Sequence, residues 1–334
     1  MRVAVIGAGS WGLALARKLG HQGKSVMLWV YEQTEYQELL ENRSSKDYLP
    51  GITLPEQVQF SQSFTDFKDI PIMIMAVPSH GVRSVVRQMN THALQPEYLV
   101  NVAKGIENET FLRMSQVILD ELKSISSAQV ATLTGPSHAE EVSQDIPTAV
   151  VAASESLETA EAVQHLLNDT TFRVYTTTDI IGAELGGSVK NIIAIAAGIL
   201  DGLAFGDNPK AALMTRGIAE IIRFGLAFGA REVTFSGLSG IGDLIVTCLS
   251  QHSRNRYVGQ QLGQGKKLSE ILSQMKMVAE GVRTTESVYE MAEKKGVEMP
   301  ITEQVYHVLF HEKEPIKAVH DLMSRDPVHE RHSM

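Results

Sequence analysis

A glycine-rich turn near the start of the chain constrains the fold more than any other feature. The apolar run Val3–Ile6 leads directly into Gly7-Ala8-Gly9-Ser10-Trp11-Gly12, which has the spacing G-x-G-x-x-G. In such a turn the first glycine permits a tight bend, the second lets the backbone approach a pyrophosphate, and the third lets helix and strand pack closely. The amides that open the following helix then face the phosphates. The string therefore predicts a dinucleotide site.

An acidic residue follows the second apolar run, Ser25–Val30. Glu32 lies 20 residues after Gly12, where a carboxylate can bind the ribose 2′-hydroxyl of NAD and repel the 2′-phosphate of NADP. No arginine stands beside Glu32 in the sequence. The pattern favours NAD over NADP. The alternative interpretation is that Glu32 is simply an exposed residue at the start of the next loop.

Short apolar runs alternate with amphipathic segments through the first half of the chain. The runs predict strands at Arg2–Ile6, Ser25–Val30, Pro71–Ala76, Tyr98–Val102, Gln129–Leu133 and Thr148–Ala152. The segments predict helices at Trp11–His21, Glu35–Asn42, Gly81–Met89, Phe111–Leu122 and Leu157–Leu167. Most strands show no polar alternation, as expected for parallel strands covered on both faces. The alternation predicts an α/β, Rossmann-type doubly wound sheet.

Beyond Asp179 the periodicity is almost entirely helical. Helices are predicted at Glu184–Leu203, Pro209–Phe228, Arg254–Leu262, Leu268–Gln274, Thr284–Lys295, Ile301–Phe310 and Pro315–Met323. We therefore expect a dinucleotide-binding domain over residues 1–180 and an all-α substrate and catalytic domain over residues 181–334. The polar segment Pro327–Met334 is expected to fray.

The charge and cysteine content exclude several classes of protein. The formal net charge is −9, which argues against nucleic-acid or membrane-surface binding. Residues 1–180 carry −8 of it and residues 181–334 carry −1, so a basic pocket for an anionic substrate is expected in the second half. The single cysteine, Cys248, fits a reducing compartment. The apolar run Ile192–Leu200 is too short for a membrane span, and no signal sequence is evident, so we expect a cytoplasmic protein.

One lysine stands in the most apolar helix of the chain. The segment 186–197 is apolar on nearly every face apart from Ser188, Lys190 and Asn191, which predicts a buried helix. A buried ammonium is costly unless it is paired, and burial lowers a lysine pKa towards neutrality, which suits a general base. Asp243, in a glycine-rich apolar setting, is the best candidate partner. The alternatives are a Lys190 that reaches solvent and an Asp243 that only caps a helix.

Other candidate groups follow predicted strands or form a basic string. Lys104 follows the strand Tyr98–Val102 and so faces the ligand edge of the sheet, although it could be a surface residue in a turn. Ser137 could form a capping box with Glu140, or the helix start there could bind a ligand. The string 253–256, Ser-Arg-Asn-Arg, predicts a compact anion cradle with two arginines, or else a basic helix start on the surface.

Metal chemistry is not expected. The 11 histidines are scattered, and the tail cluster lacks any cysteine or paired-carboxylate pattern; its members are His307, His311, His320, His329 and His332.

Taken together, these strings closely resemble the NAD(P)-dependent glycerol-3-phosphate dehydrogenases of the bacterial type, over essentially the whole chain. The strings that carry the resemblance are Gly7–Gly12, Val77-Pro78-Ser79, Lys104-Gly105, Gly135-Pro136-Ser137, Phe172–Tyr175, Gly186–Asn191, Thr215-Arg216-Gly217, Gly242-Asp243-Leu244, Ser253–Arg256, Glu280-Gly281 and Glu298–Thr302. The resemblance implies hydride transfer between a nicotinamide and C2 of sn-glycerol 3-phosphate or dihydroxyacetone phosphate. It also implies a homodimer and a supply of glycerol 3-phosphate for phospholipid synthesis.

The resemblance also implies residue roles. Lys190 matches the proton acceptor at the substrate hydroxyl, with Asp243 and Lys104 as its catalytic neighbours. Expected substrate contacts are Lys104, Gly135, Ser137, Lys190, Asp243, Ser253, Arg254 and Asn255. Expected cofactor contacts, which include the glycine turn, are Gly7, Gly9, Ser10, Trp11, Gly12, Tyr31, Lys104, Ala139, Arg254, Val278 and Glu280.

Three positions depart from the family pattern. Leu13 stands where threonine is usual, His138 where phenylalanine is common, and Tyr31 where histidine or arginine is more usual. The last change touches the ribose end, so the choice between NAD and NADP stays open. Two rival functions also stay open: a hydroxyacid dehydrogenase of similar two-domain architecture, and a dinucleotide-binding sensor that does not catalyse. Neither explains both the buried Lys190 and the basic string at 253–256.

Overall fold

The computed structural model describes residues 1–275, 277–327 and 329–330. The strands are β1 (Arg2–Ile6), β2 (Ser25–Trp29), β3 (Ser44–Ser45), β4 (Leu49–Thr53), β5 (Val58–Ser61), β6 (Ile72–Met75), β7 (Tyr98–Asn101), β8 (Val130–Thr134), β9 (Thr148–Ser154) and β10 (Phe172–Thr177). The first-half helices are α1 (Ser10–His21), α2 (Gln33–Asn42), α3 (Val82–Thr91), α4 (Met114–Glu121), α5 (Ala139–Val142) and α6 (Leu157–Leu167).

The second half contains helices throughout. They are α7 (Ile180–Gly202), α8 (Asp207–Ala227), α9 (Glu232–Phe235), α10 (Asp243–Leu249), α11 (Arg254–Gly263), α12 (Leu268–Ser273), α13 (Glu280–Lys295), α14 (Pro300–Phe310) and α15 (Pro315–Met323). A short π-helical segment, Leu238–Gly242, leads directly into α10. The predicted tail segment from Pro327 lies partly outside the described residues, and His332 lies entirely outside them.

The main sheet has the strand order β5-β2-β1-β6-β7-β8-β9-β10. The chain starts in the middle, runs outward through β2 to β5, and then crosses to β6 on the other side of β1. The order therefore reverses between β1 and β6, where Val3 pairs with Val26 on one side and Ile72 on the other. Ligands of doubly wound folds bind at the carboxyl end of the strands at such a reversal. The predicted fold class, a Rossmann-type sheet followed by an all-α region, is confirmed.

The parallel arrangement that the apolar runs favour does not extend to one pair of strands. β9 pairs antiparallel with β8, with Ala131 opposite Ser154 and Thr134 opposite Val151. A parallel neighbour needs a crossover long enough to hold a packed helix, and the connection from β8 to β9 contains only the four-residue α5. The chain therefore folds back along β8. The sequence prediction also missed β3, β4, β5, β10 and the helix α9. It placed helix starts near Ser137 and Asp243 without giving the bounds of α5 and α10.

The helical half is organised around α7. This helix is buried along almost its whole length and is contacted by α8, α10, α11 and α13. It is long and apolar enough to cross a membrane, but 94% of its most apolar stretch is buried inside the protein, which is typical of a core helix. Helix α11 lies unusually close, because a Cβ at Gly198 would be 1.9 Å from the Arg256 carbonyl oxygen. That contact fixes the start of α11 beside the middle of α7.

Candidate active site

A cleft of about 280 Å³ lies between the carboxyl edge of the sheet and the helical half. Its walls come from the glycine turn, the ends of β6, β7 and β8, the middle of α7 and the starts of α10, α11 and α13. Most of the predicted site residues line it: Gly9, Ser10, Trp11, Lys104, Ser137, Ala139, Lys190, Asp243, Ser253, Arg254, Asn255, Val278 and Glu280.

The centre of the cleft is an ion cluster of two lysines and one aspartate. Lys190 Nζ lies 2.5 Å from Asp243 Oδ1, and Lys104 Nζ lies 2.7 Å from Asp243 Oδ2. Lys190 Nζ also donates to Thr247 Oγ1 at 2.5 Å. The side chains of Lys190 and Asp243 are only 6% and 1% exposed, so Lys190 does not reach bulk solvent and Asp243 is more than a helix cap. The pairing of Lys190 with Asp243 that burial predicts is present.

Burial and charge act in opposite directions in this cluster. Burial lowers the pKa of Lys190 to about 8, although the neighbouring Asp243 carboxylate opposes that change. Burial alone would raise the pKa of Asp243, but Lys104 and Lys190 together hold it below its ordinary value. The cluster therefore contains an ionised carboxylate and a lysine that can gain or lose a proton near neutral pH.

The glycine turn has the shape that a dinucleotide requires. Gly7 has φ of +116°, and a Cβ there would lie 2.8 Å from the Ala76 carbonyl oxygen. A Cβ at Gly12 would lie 1.9 Å from the Gly7 carbonyl oxygen, which is closer than any side chain permits. A Cβ at Gly9, in contrast, would have no atom within 4 Å. The open space above Gly9, at the start of α1, fits a pyrophosphate approaching the helix amides.

The basic string forms only part of the predicted cradle. Ser253 precedes α11 and accepts a hydrogen bond from the Arg256 amide at 3.2 Å, so it caps the helix. Arg254 and Asn255 line the cleft. Arg256 does not line it, because its Nε donates to Asp201 at 2.6 Å on the side facing α7 and α8. The prediction of two arginines in one cradle is therefore wrong, since successive helical residues point in different directions.

The turn after β8 also differs from its structural prediction. α5 begins at Ala139 with His138 as the preceding residue, so Ser137 does not form a capping box with Glu140. Ser137 Oγ donates instead to the Gly135 carbonyl oxygen at 3.0 Å. The same oxygen accepts a hydrogen bond from Lys104 Nζ at 3.1 Å. Gly135 and Ser137 therefore belong to the hydrogen-bond network around Lys104.

Two predicted residues at the end of β2 do not line the cleft. Tyr31 is 71% exposed and lies against Trp29, with 5.8 Å between ring centroids. Glu32 is exposed at the residue before α2 and makes no capping hydrogen bond with its side chain. Both residues follow β2, the strand that pairs with β1, at the carboxyl edge of the sheet. That position is open to the ribose of a dinucleotide held by the glycine turn.

Two groups that sequence reasoning missed, Thr247 and Tyr48, complete the cleft around the predicted residues Ser10 and Glu280. Glu280, at the start of α13, accepts hydrogen bonds from both the amide and the hydroxyl of Ser79, so it joins the two halves of the molecule. Ser10 Oγ donates to the Tyr48 carbonyl oxygen at 2.5 Å. Thr247 lies four residues after Asp243, and helical spacing could have placed both on one face. Nothing in the sequence pattern identifies Tyr48.

Within residues 1–275, 277–327 and 329–330, no group of three or more histidine, cysteine, aspartate or glutamate side chains could hold a metal ion. Lys190, Lys104 and Arg254 supply the positive charge of the cleft. The arrangement can bind an anion and exchange one proton with it.

Comparison with known proteins gives a consistent result over the chain. The model of the NAD-dependent glycerol-3-phosphate dehydrogenase N-terminus matches residues 2–160, and that of the C-terminus matches residues 179–320. A glycerol-3-phosphate dehydrogenase [NAD(P)+] of Chlorobium phaeobacteroides strain BS1 is 51% identical over 328 residues, covering 98% of both chains. One of Pelotomaculum thermopropionicum is 51% identical over 330 residues, covering 98% of this chain and 95% of the relative.

A solved structure agrees with these matches. The crystal structure of glycerol-3-phosphate dehydrogenase from Coxiella burnetii superposes with a TM-score of 0.92 at 37% identity. The superposition covers 97% of this chain and 99% of that one. The likeness therefore includes both the sheet and the helical half.

Proposed function

The chain belongs to the NAD-dependent glycerol-3-phosphate dehydrogenase family, and we propose that its cleft performs the family's reaction through Lys190, with Asp243 and Lys104 holding that lysine in place. The protein is an NAD(P)-dependent oxidoreductase that interconverts sn-glycerol 3-phosphate and dihydroxyacetone phosphate. The observation that carries the residue assignment is the buried ion cluster at the floor of the cleft, beside the glycine turn.

The dinucleotide fits the turn at Gly7–Gly12, with Ser10, Trp11, Ala139, Val278 and Glu280 as further contacts along the cleft. A bound nicotinamide supplies or accepts the hydride at C2 of the substrate. The protein itself must exchange a proton with the oxygen on C2. Lys190 suits that task, because its pKa of about 8 allows both the ammonium and the neutral amine near neutral pH. The ammonium donates a proton when the ketone is reduced, and the amine accepts one when the alcohol is oxidised.

Asp243 and Lys104 prepare Lys190 for this exchange. The Asp243 carboxylate holds Lys190 Nζ in one position and keeps its pKa from falling further. Lys104, which is 22% exposed at its side chain, neutralises the other carboxylate oxygen and presents a positive charge to the cleft. Gly135 and Ser137 fix Lys104 through the shared carbonyl oxygen. A charged group fixed before the substrate arrives needs little reorganisation during the reaction.

The phosphate group of the substrate needs its own anchor. Arg254 stands at the first residue of α11, where a guanidinium and the helix amides both favour an anion. Asn255 is buried beside it and accepts a hydrogen bond from the Gly281 amide at 2.9 Å, which links α11 to α13. Ser253, buried before the helix, completes this anchor. We assign the phosphate to Ser253, Arg254 and Asn255, because they lie in the same cleft as Lys190.

The residues that follow β2 favour the binding of NAD over NADP. The exposed Glu32 carboxylate can bind the hydroxyls of the adenosine ribose and would repel a 2′-phosphate there. Arg43, the next arginine along the chain, donates to the carbonyl oxygens of Leu54, Pro55 and Val58 and is therefore engaged elsewhere. We propose a preference for NADH.

Three further properties rest on the family resemblance: a homodimer, a cytoplasmic location, and a supply of glycerol 3-phosphate for phospholipid synthesis. We also place the boundary between the dinucleotide-binding and catalytic domains at residues 180 and 181. The connection between β10 and α7, at residues 178–179, supports this boundary.

Light scattering of the purified protein should give twice the chain mass of 36.6 kDa. A mass equal to one chain would reject the dimer.

The test of the reaction is oxidation of NADH and NADPH in the presence of dihydroxyacetone phosphate, with unphosphorylated dihydroxyacetone as the comparison substrate. We expect turnover with the phosphorylated substrate and little with the other. Arg254→Ala should raise KM for dihydroxyacetone phosphate about tenfold to a hundredfold, since it removes a charge-assisted contact. Arg87→Ala, at an exposed arginine on α3, is the matched control. An unchanged KM for Arg254→Ala would place the phosphate elsewhere.

A further inference from the structure

His138 stands in the wall of the active-site cleft without a role in the assignment above. It is the last residue of the turn between β8 and α5, at the carboxyl edge of the sheet, where it lines the cleft together with Lys190, Asp243 and Arg254. Its ring is 5.8 Å from that of His252, which belongs to the segment between α10 and α11. The two halves of the molecule therefore meet at this ring.

One ring nitrogen of His138 lacks a partner. Three buried side-chain atoms among the described residues have no hydrogen-bond partner: Glu35 Oε1, Ser287 Oγ and His138 Nε2. Only His138 among these three residues lines the cleft. An unpartnered buried polar atom costs roughly 1–3 kcal/mol, so a group at a cleft is expected to find its partner in the ligand.

The surroundings of the ring decide what kind of partner it suits. Burial, reinforced by the ammonium groups of Lys190 and Lys104, lowers the pKa of His138 to about 4. Asp243 opposes that change, and His252 adds slightly to it. The imidazole is therefore neutral under the conditions in which the enzyme works. A neutral imidazole neither attracts a phosphate strongly nor transfers a proton at neutral pH, but it forms a good hydrogen bond with a hydroxyl group.

The substrate offers one such hydroxyl. It has three polar positions, which are the phosphate, the oxygen on C2 and the terminal hydroxyl on C1. The assignment above gives the phosphate to Arg254 and its neighbours, and the C2 oxygen to Lys190. The C1 hydroxyl has no partner in that assignment, and it can either donate to or accept from a ring nitrogen.

We propose that His138 is a specificity-determining residue that hydrogen-bonds the terminal hydroxyl of the substrate. The proposal rests on the proposed function of the cleft. It implies that the enzyme selects phosphorylated three-carbon ketones that carry a free hydroxymethyl group beside the carbonyl. A ketone with a methyl group at that position leaves Nε2 unpaired in the cleft, and polar sites of this kind reject such analogues.

The experiment compares dihydroxyacetone phosphate with hydroxyacetone phosphate, which differs only by a methyl group in place of the hydroxymethyl group. The wild-type enzyme, His138→Phe and His138→Gln are assayed with both ketones, and His165→Phe, at an exposed position on α6, is the matched control. We expect the wild type to prefer dihydroxyacetone phosphate at least about tenfold in kcat/KM. His138→Phe should bring the ratio close to one, mainly by losing activity on dihydroxyacetone phosphate, and His138→Gln should keep most of the preference.

Two results would overturn the proposal. One is a wild-type ratio close to one, which needs no variant and so holds even if a variant fails to fold. The other is an equal loss on both ketones in His138→Phe, which is the mark of a packing role alone. Either result leaves the reaction itself in place. Absence of turnover with dihydroxyacetone phosphate in the wild type would instead reject the function of the cleft.

Discussion

Two of the buried carboxylates in the helical half of this protein, Asp243 and Glu220, differ in what surrounds them. Asp243 is 1% exposed and Glu220 is 2% exposed. Asp243 contacts two ammonium groups, and its pKa lies below the ordinary value. Glu220, on α8, accepts hydrogen bonds from the amides of Ile301 and Thr302 at the start of α14, and its pKa is raised to about 7.

The difference shows that burial alone does not mark a catalytic carboxylate. Burial acts in the same direction on both groups and raises the pKa of each. Two lysines reverse that effect at Asp243, whereas backbone amides only reduce it at Glu220. Asp243 opens onto the cleft beside the glycine turn, and Glu220 faces a separate, mostly apolar cavity of about 370 Å³ between α8, α14 and α15. We infer that Asp243 serves the reaction and that Glu220 holds α14 on α8.

Of the changes at the two carboxylate sites, the removal of Lys190 beside Asp243 should have the largest effect on turnover. Lys190→Ala should lower kcat by about 10²–10⁴, because the proton on the C2 oxygen loses its exchange partner. Lys190→Arg should be similarly slow, since a guanidinium keeps the charge beside Asp243 but does not release its proton. Steady-state kinetics with dihydroxyacetone phosphate measures kcat, and NADH fluorescence shows whether the cofactor still binds. A folded Lys190→Ala that turns over near the wild-type rate would remove Lys190 from the reaction.

The matching change at the other carboxylate should alter stability instead. The folded protein binds a proton at Glu220 more tightly than the unfolded chain does, so the stabilisation from this group is complete below pH about 4.5 and is lost as the pH rises through about 7. The loss is about 3 kcal/mol in all. Glu220→Gln removes the titration, so its free energy of unfolding relative to wild type should rise by about that amount between pH 5 and pH 8.

Urea unfolding at several pH values measures this difference, and kcat should be unchanged throughout. A constant difference between wild type and Glu220→Gln across the pH range would show that Glu220 is already ionised in the folded protein. A large fall in kcat would show that the two carboxylates are not separate in function.

The sequence predicted one member of this comparison and missed the other. Asp243 is predicted as the partner of Lys190, because that lysine interrupts a helix that is apolar on nearly every face, and a buried charge requires a partner. Glu220 has the acidic, helix-forming character of a surface residue. Its position on α8 nevertheless matches the buried stripe formed by Gly217, Ile221 and Phe224. Helical periodicity could therefore have found it.

The fold also has features that local sequence patterns do not predict. Alternating apolar runs predicted the parallel strands around β1, because each run is long and has a helix after it. They did not predict the direction of β9, which depends on the short α5 connection and on pairing with β8. Arg256 illustrates the corresponding limit in the site. The string 253–256 predicts an anion cradle, but the pairing of Arg256 with Asp201 depends on how α11 packs against α7.

A smaller effect should distinguish the carboxylates through the pH dependence of turnover. In glycerol 3-phosphate oxidation the neutral Lys190 amine accepts the proton, so kcat should rise with pH through about 8. Asp243 raises the pKa of Lys190, and Asp243→Asn should therefore move this rise to lower pH by about one pH unit or more. Glu220→Gln should leave the profile in place. A profile unmoved in Asp243→Asn would mean that another group limits the rate.

The smallest and sharpest test uses two threonines, one beside each carboxylate. Thr247 Oγ1 accepts from Lys190 Nζ and donates to the Asp243 carbonyl oxygen at 2.6 Å, whereas Thr302 Oγ1 donates to Glu220 Oε2 at 3.2 Å. Valine has nearly the same shape as threonine but lacks the hydroxyl group. Thr247→Val should lower kcat about threefold to tenfold, because the ammonium is held less firmly, and Thr302→Val should cost about 1 kcal/mol of stability without changing kcat.

Both variants are measured for kcat and for the free energy of unfolding, so that each serves as the control for the other. Each replaces one buried hydroxyl on a helix, and the two therefore share any general effect of losing a hydrogen bond. If only Thr247→Val slows turnover, the geometry around Lys190 limits the reaction, and the junction of α8 and α14 affects stability alone. Equal losses of kcat in the two variants would instead show that the ion cluster and the Glu220 junction are coupled through α7 and α8, and the contrast between the carboxylates would be one of degree.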